Sequence, residues 1–409
     1  MNRINKALFL TSNLKLWIIA IAASLVLVFF AFFIGFLTYF NRLSDFILNK
    51  LSILIGLDMS LRAIFALILL LLAVIVILFS AFKIYRFFSD ANQDLFENVY
   101  LDSKLEKGKK IVTIGGGTGQ YTLLNGLKEH TSNITAVVTT MDSGGSSQLL
   151  KTEFGVLPPG DLRNCIIALS PFKDELRMVF NKRFGKNTSL QGHTIGNLLL
   201  TRLAQDSDFE SAIETLQTLL RCRGRVLPVT LDPAEVIAIS KDGTKYFGEH
   251  EIDTKGMNIK NIFLNQEAKL NPRVKAAIKD ADVIVVGPGS LYSSIIPNML
   301  VNDIVKEIKK SKAKKVYVMN VMTQYPETHG FKAIDFINTI KNYFNPDYIF
   351  MNNTKVSDDK LKNYATERKF FVEPLITKDP KYVVKDLIND RVAIRHDSKK
   401  LAEEIYKIK

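Results

Sequence analysis

Six short stretches of this 409-residue chain gather hydroxyl, amide or charged side chains, five of them around glycines. The first, Gly115-Gly116-Gly117-Thr118-Gly119, follows the β-branched run Ile111-Val112-Thr113-Ile114. Glycines after a strand let backbone N–H groups approach a phosphate, and a following helix adds its N-terminal dipole. No lysine follows as a P-loop requires, and the third glycine of a dinucleotide fingerprint falls on Gln120. A tight strand-to-helix turn is the alternative. The second, Asp142-Ser143-Gly144-Gly145-Ser146-Ser147, offers a carboxylate, three hydroxyls and backbone amides for a sugar or a metal-bound phosphate, or forms an Asx/Ser turn.

The third, Pro158 to Asn164, places Asp161 as an N-cap, with Arg163 and Asn164 as the better ligand donors. The fourth sets His193 between Gly192 and Gly196, with Asn197 following; a lone histidine is more often structural. The fifth, Gly287-Pro288-Gly289-Ser290 through Ser294, is another phosphate or ribose loop at a strand end. The sixth is Asn320 to Gln324, and Asn352-Asn353 follows the last strand-like run; amides there can read a base edge. No nucleophile and base stand together along the chain.

The elements that must position these groups are short, wholly apolar runs: 111–114, 134–138, 283–286, 316–319 and 348–351. Helical stretches separate them, as buried parallel strands require. The expected fold is an open, Rossmann-type three-layer α/β sheet, with ligands beyond the carboxyl ends of its strands. An insertion lies between, helical over 171–221 and strand-paired over 225–252, with a turn at Lys241-Asp242-Gly243-Thr244.

The formal charge of +13 invites a nucleic-acid reading until it is located. Residues 1–86 hold eight Lys/Arg and two Asp, giving +6 of it. Residues 16–41 and 63–82 contain no charged side chain and reach the length of a bilayer-spanning helix. The expectation is a two-helix transmembrane hairpin over 1–86, a connector over 87–108 and a soluble domain over 109–409. Lys/Arg flanking the spans favour both tails inside, placing that domain on the cytoplasmic face of the cell membrane. The soluble part shows no basic block with interleaved aromatics, so nucleic acid is not expected as a partner. Cys165 and Cys222 suggest no disulfide framework.

The words GGGTG at 115–119, DSGGSS at 142–147, PPGDLRN at 158–164, GHTIGNLLL at 192–200, GPGSLYSSIIPNMLV at 287–301 and NVMTQYPET at 320–328 resemble one family. It is that of the bacterial gluconeogenesis factor YvcK, related to the 2-phospho-L-lactate transferase CofD. Tyr364-Ala365 and Arg395-His396-Asp397 also look like family positions. The resemblance covers about 109–409 and not the two apolar runs. It implies a CofD-like fold, binding of UDP-sugars such as UDP-N-acetylglucosamine, and links to cell shape, cell-wall precursor supply and growth on gluconeogenic carbon. Cell-wall or metabolic enzymes as partners and a homo-oligomer are compatible with it.

Under this reading Gly115 to Gly119 and Gly287, Gly289 and Ser290 hold phosphates. Asn320 and Asn352 contact base or ribose, and Tyr364 and Arg395 close over the ligand. The transferase relatives use a divalent metal to move a phospholactyl group; here Mg²⁺ would fall to Asp142 and Asp161. Two departures weigh against that chemistry. Ser143 stands where the family usually has a second aspartate, and Phe336 follows Asp335 where a histidine is usual. The expectation is therefore a membrane-anchored binding or regulatory protein on a transferase-like fold, with the metal-dependent transferase as alternative.

Overall fold

A computed structural model describes residues 101, 103–389 and 393–408. The chain divides into a unit over Met1–Lys104 and a unit over Leu105–Lys409. The apolar runs at 16–41 and 63–82, and with them the expected transmembrane hairpin, lie outside the described residues. Among the described residues no helix is long and apolar enough to cross a membrane.

The second unit is built on seven parallel strands. They are β1 (Ile111–Gly115), β2 (Ile134–Val138), β3 (Arg225–Pro228), β7 (Val283–Val286), β8 (Lys314–Val318), β9 (Tyr348–Asn352) and β10 (Tyr382–Lys385), in spatial order β10-β9-β8-β7-β1-β2-β3. Between β3 and β7 in the chain, β4 (Val236–Ser240), β5 (Lys245–Phe247) and β6 (Ile259–Leu264) form a separate antiparallel sheet. β11 (Ile388–Asn389) and β12 (Arg395–His396) pair near the C-terminus.

Alternation along each strand explains the layers. Ile111, Ala136, Val283, Val316 and Phe350 face one core, while Val112, Val137, Ile284, Tyr317 and Ile349 face the other. Both faces are buried, so the strands read as continuous apolar runs. The helices preceding the insertion are α1 (Gly117–Leu127), α2 (Gly145–Phe154) and α3 (Gly160–Leu169). Then come α4 (Lys173–Asn181), α5 (Ile195–Asp206) and α6 (Phe209–Leu219). The remaining ones are α7 (Gly248–Lys255), α8 (Pro272–Asp280), α9 (Ile296–Met299), α10 (Ile304–Lys310), α11 (Ala333–Lys341), α12 (Asp358–Thr366) and α13 (Ser398–Tyr406). α1, α3, α6 and α13 cover one face; α8, α10 and α11 cover the other.

Two expectations shift. Residues 225–228 leave the strand-paired insertion for the edge of the main sheet, parallel to β2. The hairpin turn at 241–244 joins β4 and β5 as expected. Asp161 is not an N-cap: α3 begins at Gly160, which puts Asp161 in its first turn.

Chain direction fixes where ligands can sit. The path runs outward from β1 to β2 and β3, returns beside β1 as β7, and proceeds the other way through β8, β9 and β10. The strand order reverses between β1 and β7, and a crevice opens at their carboxyl ends.

Candidate functional site

Two glycine loops wall the crevice. After β1, Gly117 adopts φ +61 and starts α1. α1 carries no side-chain cap and no acidic residue in its first turn, so its positive end faces the opening. Gly119 packs so tightly on the opposite loop that a Cβ there would lie 2.2 Å from the Pro288 carbonyl oxygen. The cavity between has a volume of about 310 Å³. Gly116, Gly117, Thr118 and Gly119 line one side, and Gly289, Ser290 and Asn320 the other. Thr122, Ser294 and Gln324 add polar groups, and Arg395 and His396 of β12 close the rim.

The second loop is held by its neighbours. Asn320 Oδ1 accepts from the Gly289 N–H at 3.0 Å, and its Nδ2 donates to the Gly289 carbonyl at 2.8 Å. Its amide is thus engaged with backbone at the cavity wall. Ser290 Oγ donates to Gln324 Oε1 at 2.5 Å, and Gln324 Nε2 donates to Asp253 of α7. Glu327, fully buried, accepts from the N–H groups of Leu291 (2.9 Å) and Tyr292 (3.3 Å) at the helical turn before α9. Burial, then the charge of Asp253, pushes its carboxyl up to about 8.

A second polar cluster forms where the N-termini of α2, α3 and α5 meet. Ser146 Oγ lies 2.9 Å from His193 Nδ1, and Asn197 Nδ2 donates to the same hydroxyl at 3.1 Å. Asn197 fills one lone pair of the hydroxyl, and the His193 tautomer sets whether Nδ1 donates to the other or accepts the serine proton. Arg163 Nη1 donates to Thr194 Oγ1 and Asn197 Oδ1, both at 2.6 Å, and its Nη2 donates to Asn164 Oδ1 at 2.9 Å. Burial, then the nearby Arg183, lowers Arg163 to about 10. The structure therefore brings together a buried serine and histidine that stand 47 residues apart and that the sequence does not pair.

Carboxylates join the two clusters. The Asp161 Oδ2 atom would be 2.5 Å from a Cβ on Gly116, and Asp161 accepts the Gly117 N–H. Asp142 accepts from the Gly144 N–H at 2.8 Å; its Oδ2 and Ser147 Oγ both crowd the open side of Gly160. Glu249 and Asp253 come from α7, outside the main sheet. Burial, then Asp142, pushes Asp161 up to about 7 and Glu249 up to about 9. Among the described residues no three or more His, Cys, Asp or Glu side chains are grouped to hold a metal.

Several expected site residues take other places. Gly115 ends β1, its carbonyl accepting from Thr139 N–H and Asn298 Nδ2. Gly287 adopts φ +79 at the turn into the second loop. Asn352 accepts from the Leu387 N–H at 3.0 Å and donates to the Thr354 carbonyl, bracing the end of β9 outside the cavity lining. Tyr364 accepts from the Ile394 N–H at 2.9 Å, fixing the residue before Arg395. Gly144 and Gly145 start α2. Glu249, Asp253 and Glu327 enter from the fold, whereas Ser294 and His396 stand in stretches already singled out in the sequence. Glu327 falls seven residues after Asn320, inside a word already notable; α7 carries no such signal.

Comparison with known proteins agrees with this architecture. The sequence profile of the 2-phospho-L-lactate transferase CofD family matches residues 111–388. A Thermotoga maritima protein, provisionally named a gluconeogenesis factor, is 43% identical over 311 residues, covering 73% of this chain and 99% of its own. A Nostoc relative of the same provisional name is 45% identical over 252 residues, and the match spans 55% of that protein. A crystal structure from Bacillus halodurans, 38% identical, superposes with a TM-score of 0.69 over 74% of this chain and 99% of that one.

Proposed function

Because the chain belongs to the 2-phospho-L-lactate transferase CofD family, we propose that it is a nucleotide-sugar-binding regulatory factor of the gluconeogenesis-factor type. The observation that carries this reading is the crevice at the β1–β7 switch point, walled by two glycine loops and lined by the N-terminal turn of α1. A diphosphate there meets backbone N–H groups of Thr118 and Gly119 and the hydroxyls of Ser290 and Ser294. Arg395 at the rim supplies the counter-charge. The sugar extends toward Asp142, Asp161 and Glu249, whose carboxyl groups suit sugar hydroxyls. In this reading a UDP-sugar such as UDP-N-acetylglucosamine is the ligand. The response reaches cell-wall or metabolic enzymes and bears on cell shape and precursor supply. The charge-free runs at 16–41 and 63–82 anchor the chain in the cell membrane with this unit toward the cytoplasm.

Isothermal titration of the full-length chain in detergent with UDP-N-acetylglucosamine and UDP-glucose tests the binding. Saturable heat that Arg395→Ala reduces is the expected result. Absence of heat at millimolar ligand overturns it.

One observation favours a second reading. Asp161 and Glu249 hold their protons near neutral pH beside a phosphate loop, and a cation would displace those protons. A metal-dependent transferase would use Asp142 and Asp161 in this way, with Mg²⁺ supplying charge neutralisation at the phosphates. Phosphorus NMR of the protein with Mg²⁺ and nucleotide-activated donors separates the two: a regulator leaves the donor intact, a transferase consumes it.

A further inference from the structure

One face outside the crevice is built for a surface rather than a small ligand. α4 turns Leu176 and Phe180 onto the core, while Met178 is 70% and Val179 48% exposed. The link from α4 to α5 folds back on itself: Phe184 N–H donates to the His193 carbonyl at 2.9 Å and Gly192 N–H to the Phe184 carbonyl at 3.1 Å. Its far side leaves Leu190 and Ile195 39% and 42% exposed. α4 and α5 pack against each other, so these side chains lie on adjoining elements. Scattered apolar side chains are ordinary on a surface, but a gathering of large ones marks an interaction site.

Charge selects the occupant. Over 173–195 stand Lys173, Arg177, Lys182, Arg183 and Lys186 against Asp174 and Glu175 in the first turn of α4, a net +3, and the 182–195 link carries no Asp or Glu. Lys182, Arg183 and Lys186 are exposed. A second copy meeting this face across a twofold axis would bring the same positive charge against it. An anionic bilayer instead complements the basic side chains and accepts the apolar ones at its acyl boundary. We propose that α4 and the 182–195 link form a docking surface for anionic phospholipid. This goes beyond the nucleotide-sugar reading and does not rest on the N-terminal anchor.

The test uses residues 105–409, a unit that folds on its own in the Bacillus halodurans relative, whose chain it covers almost entirely. The probes are phosphatidylcholine vesicles with and without about one third phosphatidylglycerol. The expected result is co-flotation with the anionic vesicles only, weakening as salt is raised. Each basic side chain near such a surface is worth about fivefold in partitioning, so Lys182→Glu with Lys186→Glu lowers binding roughly 25-fold or more. These lysines are exposed, so the variant keeps its melting temperature and its UDP-sugar titration. Met178→Asp loses binding in parallel. Equal or absent binding to both vesicle types overturns the proposal, as does anionic binding indifferent to these substitutions. A concentration-dependent dimer that Met178→Asp dissolves, without vesicle binding, assigns the face to a second copy and overturns it too.

Discussion

Asp161→Asn isolates the protonation built into the site. In the folded chain the Asp161 carboxyl is raised from 3.8 to about 7, chiefly by burial and then by Asp142. A carboxyl whose folded value is raised binds its proton more tightly when folded. Its contribution is therefore full below 3.8 and is lost as pH climbs through about 7. The shift of about three units corresponds to ~4 kcal/mol at ~1.4 kcal/mol per unit. Asp161 keeps part of its surface open to water, so about 2 kcal/mol is the expected share. Asparagine keeps an oxygen for the Gly117 N–H and carries no charge at any pH. At pH 4 the variant should melt close to the parent; at pH 8.5 it should melt about 4 °C higher, most of the gap opening between pH 4 and 7. Glu249 and Glu327, raised to about 9 and about 8, leave a residual alkaline decline in both proteins. Thermal melts at half-unit pH steps, in chelator to exclude divalent cations, provide the assay. Parallel profiles for variant and parent from pH 4 to 9 would refute the reasoning.

Three further outcomes are expected. Asn320→Ala removes both hydrogen bonds clamping Gly289, so UDP-sugar affinity measured by calorimetry falls about tenfold while stability drops by about 1–2 kcal/mol. Gly119→Ala drives a methyl group to 2.2 Å from the Pro288 oxygen. It should cost more than ~2 kcal/mol in urea unfolding and abolish binding. Glu327→Ala strands two buried N–H groups and costs about 2–4 kcal/mol, whereas Glu327→Gln, which keeps an acceptor, costs under about 1; equal losses for the two would discount the hydrogen bonds.

The strands were legible because a parallel strand buried on both faces must be apolar at every position, as Val283 to Val286 is. The glycine loops were legible because close backbone approach leaves no room for a Cβ, and Gly119 against Pro288 is that case. Residues 225–228 misled: four residues ending in Pro228 give too little periodicity to tell a sheet edge from a hairpin arm. Residue type at the site was readable where partnership was not. Asn320 and Asn352 carry the amides of base readers, yet each spends them on nearby backbone. Glu249 and Asp253 reach the site from α7, a helix inserted in the small separate sheet more than 100 residues after Gly144, and no local pattern encodes that approach.

The C-terminal segment carries a consequence for how the protein is made. β12 places Arg395 and His396 at the crevice, and α13 then packs on α1 so closely that a Cβ on Gly126 would strike the Ser398 carbonyl. Tyr406 stacks on His130 at 5.2 Å, and Lys109 Nζ donates to the carbonyls of Tyr406 and Ile408. The helix after the first glycine loop is thus sealed by α13, more than 270 residues further along the chain. During synthesis the glycine loops emerge long before Arg395 and His396, so a chain cut between them holds both loops without the rim that faces them.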